Sequence, residues 1–325
     1  MASIKYYLTE MSLRLPPLTA LRAFDSAARH MSFAKAAAEL NVTPAALSFQ
    51  IKSLEEHLGA PLFHRLNRAV ELTEAGRVLA PGAAEGFQTL AAAWQSARRL
   101  QDNTTLNVTA GPAFTAKWLA PRLYEFARSF PEIDLRFSAT LRLMDFARDE
   151  VDVAVRFGYG PDEGLYALPL RREWITPVMS PEMATRYPTP DSLRDAPLIF
   201  DHSVDFLDPP CDWTTWFRAA GLDFTPTHGS HFSQADHAVD AAGAGAGVAL
   251  GRRAMVVKDL HEGKLVAPYP LALETKAHFR FICTLGTENR PQIKAFRDWI
   301  LSEITKTDYV TDSLTIIPVE DIPPL

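Results

Sequence analysis

The sequence predicts a multidomain α/β protein with a mainly α-helical head, one long helix and an α/β body. Three observations predict it. Apolar residues recur at helical spacing from Leu18 to Leu58 with two interruptions, a second helical stripe runs from Thr73 to about Leu100, and strand-like and helix-like runs alternate beyond residue 104. At 325 residues the chain exceeds one ordinary core. With 47% hydrophobic and 22% charged residues it has a globular composition, which excludes wholesale disorder. No apolar run approaches the roughly twenty residues that span a bilayer. Met1 to Arg14 is polar and mixed in charge, so no signal peptide and a cytoplasmic location are expected.

In the head, Leu18, Leu21, Phe24 and Ala28 mark one helix face. Ser32 then offers an N-cap for a short alanine-rich helix, Phe33 to Leu40. After the tight connection Asn41-Val42, Thr43 caps a third helix, with Pro44 at the first helical position, where its missing N–H is harmless. Leu47, Ile51, Leu54 and Leu58 follow at steps of four, three and four, which predicts a buried stripe ended by Gly59. Short apolar pieces from Pro61 to Leu72, around Arg65, Asn67 and Arg68, predict a small β-wing, and residues 15–72 form the first domain.

Thr73 caps the long helix of residues 73–100. Its stripe, Leu79, Ala83, Phe87, Leu90, Trp94 and Ala97, has coiled-coil steps and needs a partner, the protein's own body or, by preference, a second copy. Pro81 should kink this helix or be absorbed near its first turns.

A polar break at residues 101–104 separates the body, residues 104–304. Strands are expected at 106–109, 133–138, 151–157, 174–179, 198–200, 229–232, 248–250 and 279–285. Helices are expected at 114–128, 213–220, 233–242 and 291–304. Residues 305–325 read as a flexible tail.

Charge is uneven. Seven basic and five acidic residues from Arg14 to Leu72 make that segment +2, whereas the whole chain is −6. The sign suits a nucleic-acid-binding head on an acidic body. On a helical wheel, the face opposite the third helix's stripe centres on Phe49, with Ala45, Lys52 and Ser53 beside it and Ser48 on the flank. Such a surface fits a major groove, where Phe49 would pack on a thymine methyl and Ser48 and Gln50 would hydrogen-bond base edges or phosphates. The alternative is that Phe49 packs on a neighbouring element.

Residues Met31 to Leu79, MSFAKAAAELNVTPAALSFQIKSLEEHLGAPLFHRLNRAVELTEAGRVL, resemble the DNA-binding signature of LysR-type transcriptional regulators. Ser32-Phe33, Ala36-Ala37, Leu40, Thr43, Ala45, Ser48, Gln50-Ile51, Leu54-Glu55, Leu58-Gly59, Leu62-Phe63, Arg65, Arg68 and Leu72-Thr73 through Ala75-Gly76 match in one register. Leu15-Pro16 through Leu18, Leu21-Arg22-Ala23-Phe24 and Ala27-Ala28-Arg29 resemble its branch of glycine-cleavage activators and β-lactamase regulators. Phe49 departs from the family, which commonly has a polar residue there. The resemblance implies that the third helix enters the major groove and the wing follows the backbone. It places Thr43, Pro44, Ala45, Ser48, Phe49, Gln50 and Lys52 toward the groove and gives Arg65 and Arg68 wing contacts. Ser32 and Ser53 complete the DNA-binding candidates. It further implies a homodimer through the long helix, a homotetramer on double-stranded operator DNA with two half-sites, and RNA polymerase as a partner, with no membrane association.

A looser match covers Leu106 to Phe114, Trp118-Leu119, Pro121-Arg122-Leu123, Phe126, Phe130-Pro131, Asp145-Phe146, Asp149 to Gly158 and Gly245 to Leu250. It implies a two-lobed α/β domain like the type 2 periplasmic binding proteins, with a small effector in the cleft and lobe crossings near 172–178 and 268–279. The turn Ala110-Gly111-Pro112-Ala113 leads from a strand into a helix N-terminus, which favours an anion. The effector-site candidates are therefore Pro112, Ala113, Phe114 and Thr115, faced by Arg142, Arg156, His202, Ser203, Phe232 and Ser233. They suggest a small carboxylate, such as an amino acid. Alternatively, Arg156 pairs with Asp152 or Asp145, and His202 is a structural hydrogen-bonder.

Other chemistries lack their constellations. Gly243-Ala-Gly245-Ala-Gly247 follows a helix and precedes a strand, the reverse of a dinucleotide loop. His228 and His231 have no third ligand, and no nucleophile–base pair stands out, so neither an enzyme nor a cofactor or metal is expected. A solute-binding protein would explain the body but needs export and leaves the first hundred residues without a purpose, and an enzyme with an appended DNA-binding head needs a reactive cleft that the sequence does not show. Cys211 and Cys283 are the only cysteines and read as reduced, with redox sensing open.

Overall fold

The computed structural model describes residues 15–65, 70–99, 104–146, 148–307, 310 and 312–323. The chain divides into two compact units, residues 1–98 and 99–325.

In the first unit, α1 (Leu18–His30), α2 (Phe33–Glu39) and α3 (Pro44–Leu58) form a helical cluster. The caps are those the sequence predicts. Ser32 Oγ accepts the Lys35 N–H at 3.4 Å, and Thr43 Oγ1 accepts that of Ala46 at 3.2 Å. Each such cap typically stabilises its helix by about 1 kcal/mol. Gly59, at φ +78°, closes α3 in the left-handed region. Phe24, Leu47, Ile51 and Leu62 are fully buried between the helices. Phe63 joins them, its ring 5.5 Å from Phe24 and edge-on to Phe33 at 5.2 Å. Leu58 differs from expectation. It is 52% exposed, because the last turn of α3 runs past the core to the rim of an apolar groove.

The wing is an antiparallel pair, β1 (Phe63–Arg65) with β2 (Val70–Leu72). Glu55 Oε1 secures its base by accepting the N–H groups of Leu62 at 2.8 Å and Phe63 at 3.3 Å. The Thr73 hydroxyl donates to Pro61 O at 2.8 Å and accepts the Gly76 N–H at 3.1 Å, which starts α4 (Glu74–Arg99) beside the wing. The approach is so close that a Cβ on Gly76 would stand 2.3 Å from the Leu62 carbonyl oxygen. Helix α4 continues through Pro81. Its stripe divides: Leu79, Ala83 and Phe87 pack on the helical core, whereas Leu90 and Trp94 are exposed.

The second unit is built on a mixed sheet of order β4-β3-β5-β10-β6-β9-β7-β8, with β11 beside β10. Strands β3 (Thr105–Ala110), β4 (Asp134–Ala139) and β5 (Val153–Gly158) are parallel. Strands β7 (Leu198–Asp201), β8 (Ser230–Phe232) and β9 (Val248–Arg252) form a second parallel group. Two fourteen-residue antiparallel strands, β6 (Leu165–Val178) and β10 (Leu271–Thr284), run through both halves. The sequence predicts only their most apolar ends, 174–179 and 279–285. Their ladder breaks register between Glu274 and His278, beside Arg172, within the expected crossings.

The helix expected at 114–128 is not regular. It opens as α5 (Pro112–Phe114), widens to a π turn at Thr115–Leu119, tightens to a 3-10 turn at Ala120–Arg122 and resumes as α6 (Leu123–Ser129). Pro121 has no N–H for the carbonyl four residues back, so the α ladder cannot pass it unbroken. Helices α7 (Pro181–Arg186), α8 (Trp213–Ala219), α9 (Ala235–Gly243), α10 (Arg253–His261) and α11 (Pro291–Thr305) cover the sheet, α7 and α10 being additions to the sequence reading. One core gathers Phe126, Phe281 and Phe296, and the other Trp213, Trp216 and Tyr269.

The tail is not flexible throughout, contrary to the sequence reading of 305–325. Thr315–Pro318 forms β11, parallel to Leu271–Glu274 of β10, and Val319 is buried in the second core. Arg218 Nη1 also donates to Pro323 O at 2.7 Å. Ile316 packs on the first core and Val319 in the second, and the free edge of β10 supplies the ladder.

Candidate DNA-reading helix and effector cleft

The exposed face of α3 carries the groove candidates. Pro44 and Ala45 are exposed at its N-terminus, and Ser48, Gln50 and Ser53 are half-buried on its flanks. Thr43 and Ser32 use their hydroxyls as caps, so they act by holding helix ends in place. Gln50 Oε1 accepts the Thr19 hydroxyl at 3.4 Å, which ties α3 to α1. Lys52 is exposed and lies 3.7 Å from Glu56, a weak surface pair. Phe49 is 70% exposed, so packing on a neighbouring element among the described residues does not account for it. Arg65 ends β1, and Arg68 lies outside the described residues. On the other side of this unit, Leu18, Leu21, Leu58, Leu79, Phe87 and Leu90 line an apolar groove of about 460 Å³.

In the second unit a cleft of about 270 Å³ opens between its two halves. Of the effector-site candidates, Pro112, Ala113, Phe114, Arg156 and Ser203 line it. Several other candidates do not line it. The Thr115 hydroxyl turns back to Gly111 O at 2.9 Å, as hydroxyls in helical turns commonly do. The Arg142 side chain points to Asp149 at 2.8 Å. His202 lines a separate cavity of about 210 Å³, where its Nε2 lies 2.8 Å from His231 Nδ1 and its Nδ1 2.8 Å from Asp205. Phe232 packs on the first core, and the next lining residue is Gln234 rather than Ser233.

Among the lining residues that escape the sequence reading, three are charged: Asp162, Arg252 and Arg280. Arg252 ends a strand, the signal that singles out Arg156, whereas Arg280 sits mid-strand and Asp162 in a loop. Arg280 Nη1 donates to Asp162 Oδ2 at 2.5 Å. Arg252 donates to Ser203 Oγ at 3.1 Å, lies 3.8 Å from Asp201 and stands 4.8 Å from the Phe157 ring centre. Arg156 donates to Val155 O, Thr109 Oγ1 and Arg142 O at 3.1–3.3 Å. No ion pair joins it to Asp152, which binds the Asn107 N–H at 2.9 Å and Arg290 at 3.7 Å. Burial lowers the pKa of both Arg156 and Arg252. The guanidinium stays charged at any ordinary pH, so burial instead makes an anion welcome. Arg252 and Arg280 each keep a buried Nε without an acceptor among the described residues.

Just behind the cleft, Glu173 of β6 is buried and accepts the Ala254 N–H at 2.8 Å. Burial pushes its carboxyl up to about 7, against the pull of that bond and of Arg253, Arg252 and Arg171.

The family described as "Bacterial regulatory helix-turn-helix protein, lysR family" matches residues 18–77, and "LysR substrate binding domain" matches residues 99–305. The chain belongs to the LysR family. It is therefore a DNA-binding transcriptional regulator with an effector-binding domain, not an enzyme. This LysR-type regulator is 40% identical over 297 residues to the glycine cleavage system transcriptional activator of Escherichia coli, covering 90% of this chain and 95% of that protein. It is 37% identical over 290 residues to the transcriptional activator AmpR of Pseudomonas aeruginosa, covering 88% of this chain and 95% of that one. The solved effector domain of AmpR from Pseudomonas aeruginosa superposes with a TM-score of 0.53 at 30% identity, covering 64% of this chain and all of that one. A full-length AphB variant superposes at a TM-score of 0.51 over 88% of this chain and 98% of that one, and at 19% identity it shows the fold alone. No helix among the described residues is long and apolar enough to cross a membrane.

Proposed function

We propose that this regulator activates transcription from an operator with two half-sites, and that a small anion bound in the cleft sets its output. The observation that carries the effector reading is the set of three arginines, Arg156, Arg252 and Arg280, lining one cleft with Asp162 as the sole lining carboxylate among the described residues. The two relatives named above are activators, which supports the direction of control. Exposed Leu90 and Trp94, continuous in sequence with the apolar groove, support a homodimer through α4. Pairing of dimers into a tetramer and contact with RNA polymerase follow the family pattern. On DNA, Ala45, Ser48, Phe49, Gln50 and Lys52 meet the major groove and the wing residues Arg65 and Arg68 meet the backbone.

Electrophoretic shift on the DNA flanking its own gene tests the regulator reading. A sequence-selective shift that weakens steeply with salt is expected, and binding insensitive to sequence sinks it. For the effector, thermal shift is measured against small carboxylates, with Arg156→Gln as control. Ligand-dependent stabilisation that survives Arg156→Gln unchanged moves the site out of this cleft.

A further inference from the structure

The cleft's charges and its walls together narrow the ligand class. This inference rests on the anion reading above and deepens it. Arg280 is matched by Asp162 at 2.5 Å. Arg252 faces Asp201 at 3.8 Å, with Glu173 and Asp236 also acting on it. Among the described residues Arg156 is the cation left over: its three hydrogen bonds go to uncharged oxygens. One uncompensated guanidinium calls for one negative charge. Nothing in the cleft calls for a positive one. Asp162 is taken by Arg280, and Asp201 accepts the Ser203 N–H at 2.9 Å besides facing Arg252. A ligand ammonium would therefore stand among guanidinium groups without a free carboxylate.

Apart from the uncharged polar residues Thr140, Ser203 and Gln234, the rest of the wall is apolar. Phe114, Phe279, Phe157 and Phe206 form a continuous aromatic chain, with successive ring centres 4.3, 5.1 and 6.0 Å apart. Across the opening, Leu143 is 82% exposed and Leu141 is exposed beside it. Two leucines from the loop after β4 and Phe206 from the loop after β7 thus leave apolar surface in water on both sides of one cleft. Exposed apolar side chains rimming a cleft that also holds a few charged groups are the usual make-up of a small-molecule site.

We propose that the effector is a monoanionic carboxylate with an aromatic or branched apolar body and no ammonium group, its carboxylate on Arg156 and its body against Phe206 and the two leucines. Glycine and polar amino acids are the wrong class: the first lacks the body, and all carry the ammonium.

Calorimetry on the full chain with acetate, glycine, phenylacetate, 3-phenylpropanoate, L-phenylalanine, 2-phenylethanol and phenyl phosphate tests it. Affinity should rise at least tenfold from acetate to 3-phenylpropanoate, following about fourfold per buried methylene. L-Phenylalanine and phenyl phosphate should bind at least tenfold more weakly than 3-phenylpropanoate, and 2-phenylethanol should not bind. Leu143→Ser, a change at an exposed position, should shrink the acetate-to-phenylpropanoate contrast, while Arg156→Gln should abolish binding of both. Equal, Arg156-dependent affinity for acetate and 3-phenylpropanoate overturns the apolar body and leaves the anion cleft standing. Tighter binding of L-phenylalanine or glycine overturns the exclusion of the ammonium. If no anion binds, or binding ignores Arg156→Gln, the cleft reading itself falls and this inference with it.

Discussion

Glu173→Gln should make the effector-binding unit more stable at neutral pH and leave it unchanged in acid. The carboxyl is buried on β6, and burial lifts it from an ordinary 4.5 to about 7. A displacement of that size corresponds to about 3 kcal/mol between the two protonation states. The sign follows from proton uptake. Between pH 4.5 and 7 the folded protein holds a proton on Glu173 that the unfolded chain has released, so stability falls as pH rises through this window. Below 4.5 both states are protonated, and above 7 the loss is complete. Glutamine copies the protonated group and still offers an oxygen to the Ala254 N–H, whose bond to Glu173 is 2.8 Å. The variant should therefore match the parent near pH 4.5 and exceed it by about 3 kcal/mol near pH 8, roughly 6–12 °C in Tm for a unit of this size. Thermal denaturation of both proteins at half-unit pH intervals reads the difference directly. Parallel curves across the whole range, or a gap that closes toward high pH, would refute the account of Glu173.

Three further outcomes are expected. Gly76→Ala places a methyl 2.3 Å from the Leu62 carbonyl oxygen, a backbone atom with little room to move, so it should cost about 1–3 kcal/mol and weaken operator binding, read by denaturation and electrophoretic shift. Truncation after Lys306 removes β11 and Val319. Burial of one valine is worth about 1.5–3 kcal/mol, and the β10 edge at Leu271–Glu274 is left unpaired, so a Tm lower by several degrees and greater aggregation are expected on heating. Burial pushes the Cys211 and Cys283 thiols up to about 12 and about 11, so neither is a thiolate at neutral pH. An aromatic disulfide reagent should modify them only as fast as the chain unfolds, and rapid labelling of the native protein would reopen redox sensing.

What the sequence reveals depends on how far apart the interacting residues lie. The caps at Ser32 and Thr43 and the stripe Leu47, Ile51, Leu54 are readable because each contact spans three or four residues. Phe49 is readable for the same reason, since a helix wheel fixes its face and the fold leaves it exposed. The effector cleft is half-readable. Arg156 and the turn before α5 stand out as strand-end features, but the partnership of Arg280 with Asp162 joins positions 118 residues apart. Leu58 misleads because periodicity identifies an apolar face without showing where the core under it ends. The tail misleads because Thr315 to Pro318 is strand-like only beside β10, a neighbour some forty residues earlier in the chain.

The paired strands β6 and β10 carry a further consequence. The chain leaves the first half at Arg171-Arg172 and re-enters it at His278-Phe279, residues that face one another across the ladder. Residues 172–278 are thus inserted like a cassette through two junctions a single strand spacing apart, and the tail returns to it a third time through β11 and Val319. The cassette brings Ser203, Phe206, Gln234 and Arg252 to the cleft, and the frame brings Arg156, Asp162 and Arg280. Exchange of this cassette between relatives would change one wall of the cleft and keep the other, so ligand preference in such regulators has a route to diversify by halves.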